Sequence, residues 1–200
     1  MKLYYAHGAC SLAALIAANE VGVALELIRV DIRTIPHILE DGTDLQLVNP
    51  KGYVPFLGLD DGDFLTEGVA ILQYLNDQRV DAPADQSGRA WYRTQEWLTF
   101  IATELHKGFS PWLFHPEYGE QAADVARSRI AERFNFLERH LQADAFLLGA
   151  QFSVADAYCF AIARWAPGKG LDLSRWPALS GYLERLEARP SIADALRRHG

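Results

Sequence analysis

The sequence predicts an α/β region followed by an all-helical region, and three observations carry that expectation. Short β-favouring runs alternate with an apolar helical pattern only within residues 1–80. Beyond them, apolar residues recur at three- and four-residue spacing with no strand pattern in between. The charges divide at the same place: residues 1–80 hold 5 Lys and Arg against 11 Asp and Glu, whereas residues 81–200 hold 14 against 15. The intervening stretch 81–88 contains Pro and Gly and no large apolar residue, so it reads as a linker with no face to bury. Domains are therefore expected at 1–80 and 89–200.

Each element follows from local pattern. Lys2–Tyr5 and Leu25–Val30 favour strands, and Leu12–Val21 between them, rich in Ala and Leu, reads as a helix stopped by Gly22. The segment holding Pro36 and Gly42 has no regular pattern. Val54–Leu59 and Phe64–Leu65 flank Asp60-Asp61-Gly62, a hairpin signal because Asp-Gly tolerates positive φ. Thr66 then reads as the cap of a helix with Val69, Leu72 and Leu75 on one side, and Glu67 suits the positive end of its dipole. In the second region Leu98, Ile101, Ala102, Leu105 and Phe109 form one helical stripe, and Ile130, Phe134, Leu137 and Leu141 another. Ser153-Val-Ala-Asp156 has the form of a capping box opening a further helix. Two shorter helices, 178–188 and 191–198, are expected on either side of Pro190.

Composition excludes several function classes. Of 200 residues, 50% are hydrophobic and 22% charged, as in an ordinary soluble globular protein. A net charge of −7 has the wrong sign for a nucleic-acid or anionic-membrane partner. The apolar run at 12–18 is far short of the ~20 residues a membrane span needs. No signal-peptide pattern precedes or follows it, so cytoplasmic residence is expected. Cys10 and Cys159 stand far apart, which fits a reducing compartment better than a disulfide framework. The six His are scattered, and no metal-ligand or nucleotide-binding motif occurs.

The residues that point to chemistry cluster at two places. Cys10, in Gly8-Ala9-Cys10-Ser11, falls between the first strand and the first helix. There unpaired N–H groups and the helix dipole favour a thiolate, although a small buried side chain is the competing explanation. Ser11 either joins the same site or caps the helix. With no second cysteine three residues on, an internal dithiol cycle is disfavoured, and a thiol partner must come from outside. Cys159, among Tyr158 and Phe160, reads as inert core. In the helical region Glu96, Thr99, Thr103, His106 and Ser110 form a polar stripe, which faces either water or a substrate cleft.

These residues give the chain its resemblance to the cytosolic glutathione S-transferases, specifically the bacterial beta class. The resemblance spans the whole length and is carried by Met-Lys-Leu-Tyr-Tyr at 1–5, Gly-Ala-Cys-Ser-Leu at 8–12, Asn-Pro-Lys-Gly-Tyr-Val-Pro at 49–55 and Leu-Thr-Glu-Gly at 65–68. Ala-Thr-Glu-Leu-His-Lys-Gly-Phe at 102–109 and Phe-Ser-Val-Ala-Asp-Ala-Tyr at 152–158 carry it further. It implies a thioredoxin-like N-terminal domain, an all-α C-terminal domain and a homodimer with the substrate cleft between domains. It also implies that glutathione is a co-substrate with no further cofactor, and that a small hydrophobic electrophile is the second partner. By the same resemblance Cys10 faces the glutathione sulfur, Val54 pairs with the glutathione backbone ahead of a cis Pro55, and Glu67 and Gly68 hold the γ-glutamyl end. His106 and Lys107 approach the sulfur from the helical domain. The chain departs from the class at His7, where Pro is usual, at Ile35, near which a Lys is common, and at Thr99, where Asn is usual. The activity implied is conjugation of the glutathione thiolate to electrophiles. Thiol-disulfide exchange or reductive dehalogenation through Cys10 is the alternative, and a non-catalytic binding protein on the same fold is the third reading.

Overall fold

A computed structural model describes residues 1–79 and 88–200. The linker expected at 81–88 lies outside the described residues, apart from Gly88. Two compact units are present among them, one formed by residues 1–79 with 189–200 and the other by residues 88–188.

The first unit is built on a five-stranded sheet in the order β3-β2-β1-β4-β5. Strand β1 (Lys2–Tyr5) lies parallel to β2 (Glu26–Asp31), with Leu3 opposite Leu27, and antiparallel to β4 (Phe56–Gly58), with Leu3 opposite Leu57. A short β3 (Ile38–Leu39) borders β2, in the stretch where no pattern was legible, and β5 (Phe64–Leu65) closes the hairpin with β4. Helix α1 (Leu12–Val21) ends on Gly22, whose φ of 73° lets its N–H reach back to the Ala18 and Asn19 carbonyls. Helix α2 (Gly68–Asn76) packs on α1 and β4.

Every residue from Leu12 to Ala18 is buried, so α1 has no solvent face. A sheet and one neighbouring helix cover only part of a helix's circumference. The rest of α1 is covered by the C-terminal helix, which the charge and linker pattern had assigned to the helical region and which instead packs in the first unit. Bonds from that segment fix the last turn of α1, from Arg189 and Ser191 to Glu20 and between Asn19 and the Ser191 carbonyl, and Arg198 reaches the Leu25 carbonyl beyond it.

The second unit is helical throughout. Helix α3 (Gly88–Phe100) continues through a π-helical stretch (Ile101–His106) into the single turn α4 (Lys107–Phe109), followed by α5 (Glu120–Leu141), α6 (Val154–Ala163) and α7 (Pro177–Glu187). A Cβ at Gly108 would stand 3.3 Å from Cγ1 of Ile130, so the missing side chain lets α4 approach α5. All ten residues of α6 are buried. Its first turn is secured by Asp156, whose Oδ2 accepts from the N–H and hydroxyl of Ser153 while Oδ1 accepts from Leu147 N–H and the Tyr182 hydroxyl. The carboxylate of Glu138 accepts from the N–H groups of Ala178 and Leu179, which caps α7 from a neighbouring helix. The last helix, α8 (Pro190–His199), begins at the proline rather than after it, because Pro has no N–H to lose at that position. Among the described residues no helix is long and apolar enough to cross a membrane.

Candidate active site

In the first unit the chain leaves β1 at Tyr5 and turns through Gly8, at φ 68°, to enter α1. Cys10 stands at the head of that helix, partly exposed, and its thiol donates to the Val54 carbonyl at 3.8 Å. The hydroxyl of Ser11 neither caps α1 nor reaches the surface. Ser11 is fully buried, accepts from Ala6 N–H at 3.3 Å, and has its Oγ 2.9 Å from Nε2 of His199 on α8. His7 holds the same helix end through Nδ1 and the His199 carbonyl. The turn that presents Cys10 is thus fixed from behind.

The Val54-Pro55 pair lies directly before β4, and its peptide is cis, as the resemblance implied. Beside it α2 starts at Gly68, with Glu67 in the N-cap place at φ 67°. Glu67 is the one non-glycine residue at positive φ among those described, a conformation costly enough for a side chain to mark a constrained position. Its carboxylate accepts from Lys51 Nζ at 2.6 Å and from the Tyr53 hydroxyl at 2.5 Å, and the bond to Glu67 pushes the affinity of both groups for their protons up. Thr66 does not cap α2, because its hydroxyl accepts from Lys51 instead. Cys10, Val54, Pro55, Glu67 and Gly68 therefore occupy one edge of the first unit, at the ends of β1 and β4 and the starts of α1 and α2.

The second unit carries His106 and Lys107. The polar stripe assumed a uniform α-helix, but the π-helical stretch adds a residue to the local turn and changes which side chains share a face. Thr103 turns its hydroxyl back to the Thr99 carbonyl, Glu104 pairs with Arg133, and Glu96 with Arg93. His106 stands apart from them. Its ring is packed edge-on between Tyr158 and Trp165, and Nδ1 is 2.7 Å from the Tyr158 hydroxyl. Burial, with a smaller contribution from Lys107, depresses its pKa from 6.5 to about 4, so the imidazole is neutral at neutral pH. Lys107 is exposed. Cys159 is fully buried, and burial drives its thiol far above the ordinary range.

Residues 17–83 match the family model for the glutathione S-transferase N-terminal domain, and residues 100–190 that for the C-terminal domain. Glutathione S-transferase GstA of Escherichia coli O157:H7 is 43% identical over 100% of this chain and 99% of its own length. The chain belongs to the glutathione S-transferase family. Among solved structures, the ternary complex of BphK, a bacterial glutathione S-transferase, superposes with a TM-score of 0.93 at 43% identity, covering 100% of both chains. The bacterial beta-class transferase of Sphingomonas chungbukensis gives 0.93 at 39% over 100% and 99%. A sphingomonad transferase complexed with glutathione gives 0.93 at 37% over 100% and 99%. The fold is that of this transferase family, a thioredoxin-like N-terminal domain with a mixed sheet and a helical C-terminal domain, and its kinship is with the bacterial beta class.

Four residues of this transferase were missed from sequence. Lys51 and Tyr53 lie inside the Asn-Pro-Lys-Gly-Tyr-Val-Pro segment and Tyr158 inside Phe-Ser-Val-Ala-Asp-Ala-Tyr, so the signal was present without a role attached. His199 carried none, because nothing local links residue 199 to residue 11.

Proposed function

We propose that the chain conjugates the glutathione thiolate to small hydrophobic electrophiles, as a cytoplasmic homodimer with no resident cofactor. The observation that carries this reading is the edge where Cys10 at the head of α1 meets the Val54 carbonyl, ahead of the cis Pro55, beside the start of α2. A γ-glutamyl tripeptide offers an extended backbone, an ammonium and carboxylate at one end, and a thiol. The main chain of Val54, ahead of Pro55, suits the backbone. The Glu67 carboxylate, oriented by Lys51 and Tyr53, suits the ammonium, and the Gly68 N–H suits the carboxylate. Cys10 adjoins the sulfur with the turn backed by Ser11, and His106 and Lys107 are the groups of the helical unit assigned to it. The protein supplies binding, orientation and a stabilised sulfur anion, while the substrate supplies the nucleophile.

A second reading rests on the contrast between a partly exposed Cys10 and a fully buried Cys159. The Cys10 thiolate attacks oxidised glutathione, a new S–S bond forms, and one glutathione thiolate leaves; a second glutathione must release the mixed disulfide. A conjugation assay with reduced glutathione and a generic aromatic halide is run beside mass spectrometry after treatment with oxidised glutathione. Turnover supports conjugation. A one-glutathione adduct without turnover, lost in Cys10→Ala, favours exchange. Absence of both overturns the enzyme reading.

A further inference from the structure

The environment of His106 fixes more than its burial. Tyr158 is 4% exposed and comes from α6, the most deeply buried helix of its unit. Its hydroxyl lies 2.7 Å from Nδ1, and its ring stands edge-on to the imidazole at 5.8 Å and 88°. Trp165 closes on the same imidazole at 5.4 Å and is itself packed against Phe109 and Phe114. The ring is held in place from two directions. The bond to Tyr158 engages Nδ1 and not Nε2.

A neutral imidazole carries one N–H, and the bond made by one nitrogen decides what the other offers. A phenol hydroxyl is a stronger acid than a neutral imidazole N–H, and an imidazole nitrogen is a stronger acceptor than a phenol oxygen. The matched arrangement is therefore O–H donating to Nδ1. That leaves the hydrogen on Nε2.

We propose that Tyr158 is a positioning residue for His106: its buried hydroxyl donates to Nδ1, fixes the tautomer with hydrogen on Nε2, and so makes His106 a neutral N–H donor to the sulfur anion. This rests on the assignment of His106 to the sulfur. A donor of this kind lowers the energy of a thiolate without taking or giving up a proton, so it needs no imidazolium at working pH. Without Tyr158 the imidazole would exchange between tautomers, and in one of them Nε2 would turn a lone pair towards the anion and repel it. Holding an imidazole by its second nitrogen is the device by which metal-bound histidines are oriented.

The test is the nitrogen spectrum of His106 in the intact protein, with Tyr158→Phe, which keeps the ring, and His106→Phe as comparisons. The wild type is expected to show Nδ1 as acceptor and Nε2 protonated from pH 6 to pH 8. Tyr158→Phe is expected to show mixed tautomers and a kcat about three- to tenfold lower, the range set by one hydrogen bond between neutral groups, with the KM for glutathione little changed. A wild-type spectrum with hydrogen on Nδ1 overturns the proposal, and so does a Tyr158→Phe protein with unaltered tautomer and kcat. A fixed Nε2–H tautomer together with unchanged turnover in His106→Phe overturns instead the assignment of His106 to the sulfur, and with it the catalytic half of the proposal.

Discussion

A histidine pressed between two aromatic rings stays neutral because the charged form would lose its water, and that has a price in acid. The folded state holds His106 at about 4 against an ordinary 6.5, so between these values the unfolded chain binds the additional proton. Its contribution is thus constant above pH 6.5 and falls away as pH drops towards 4. At about 1.4 kcal/mol per tenfold change in proton affinity, wild type should lose about 3 kcal/mol more than His106→Phe between pH 7 and pH 4. Urea titrations of both proteins at the two pH values measure it, and parallel losses would refute it. The two thiols differ by the same physics. Cys159 has no exposed surface, and burial keeps its proton in place. Iodoacetamide at pH 8 should therefore add a single alkyl group to the folded protein, at Cys10, and the second only after denaturation. Rapid labelling of Cys159 without denaturant would contradict this. Both thiols were visible in the sequence, and the reading of Cys159 as core agrees with its complete burial. The partner of His106 was not visible, because 52 residues separate it from Tyr158.

At the scale of the element, periodicity located most helices and most of the sheet, since burying one face leaves a regular mark on the sequence. It did not locate β3, two residues long, which pairs with β2 through backbone bonds that any side chain permits. Nor did it reveal the π-helical stretch before His106, because an extra residue per turn is set by what the helix packs against. Capping was mixed. Ser153 and Asp156 act at the start of α6 as their spacing implied, whereas Thr66 and Ser11 do not cap, their hydroxyls being taken by Lys51 and by Ala6 with His199. Asp156 serves four donors from inside the unit, so Asp156→Ala strands Leu147 N–H, Ser153 N–H and the Tyr182 hydroxyl together. The loss should be about 3–5 kcal/mol by thermal or urea unfolding, and Asp156→Asn, which keeps one acceptor oxygen, should lose less. A loss below 1 kcal/mol in the Ala variant would show that water replaces the carboxylate.

At the scale of the molecule, the first unit is discontinuous in sequence, since α8 completes the burial of α1. Ending the chain before Pro190 should expose Leu12–Ala18, lower the melting temperature markedly and diminish Cys10 adduct formation, because His7 and Ser11 lose their contacts with His199. An unchanged melting temperature would show that α8 is dispensable. The homodimer proposed above has its own measurement: light scattering at micromolar concentration should give twice 22.4 kDa, and a clean monomer would remove the second copy.

Local pattern alone was enough to read a strand-and-helix part followed by a helical part, the cysteine at the head of a helix and the segment ending in Val54-Pro55, though not the place of α8. Each of these is written in residues adjacent in the chain, where apolar spacing, turn residues and helix ends act locally. Long-range packing settles that α8 covers α1, that Glu67 is held by Lys51 and Tyr53, and that the His106 ring is bonded to Tyr158. These contacts join residues distant in sequence. They form because a buried apolar surface must be covered and a buried polar atom must be bonded, and neither need says from which part of the chain the partner will come.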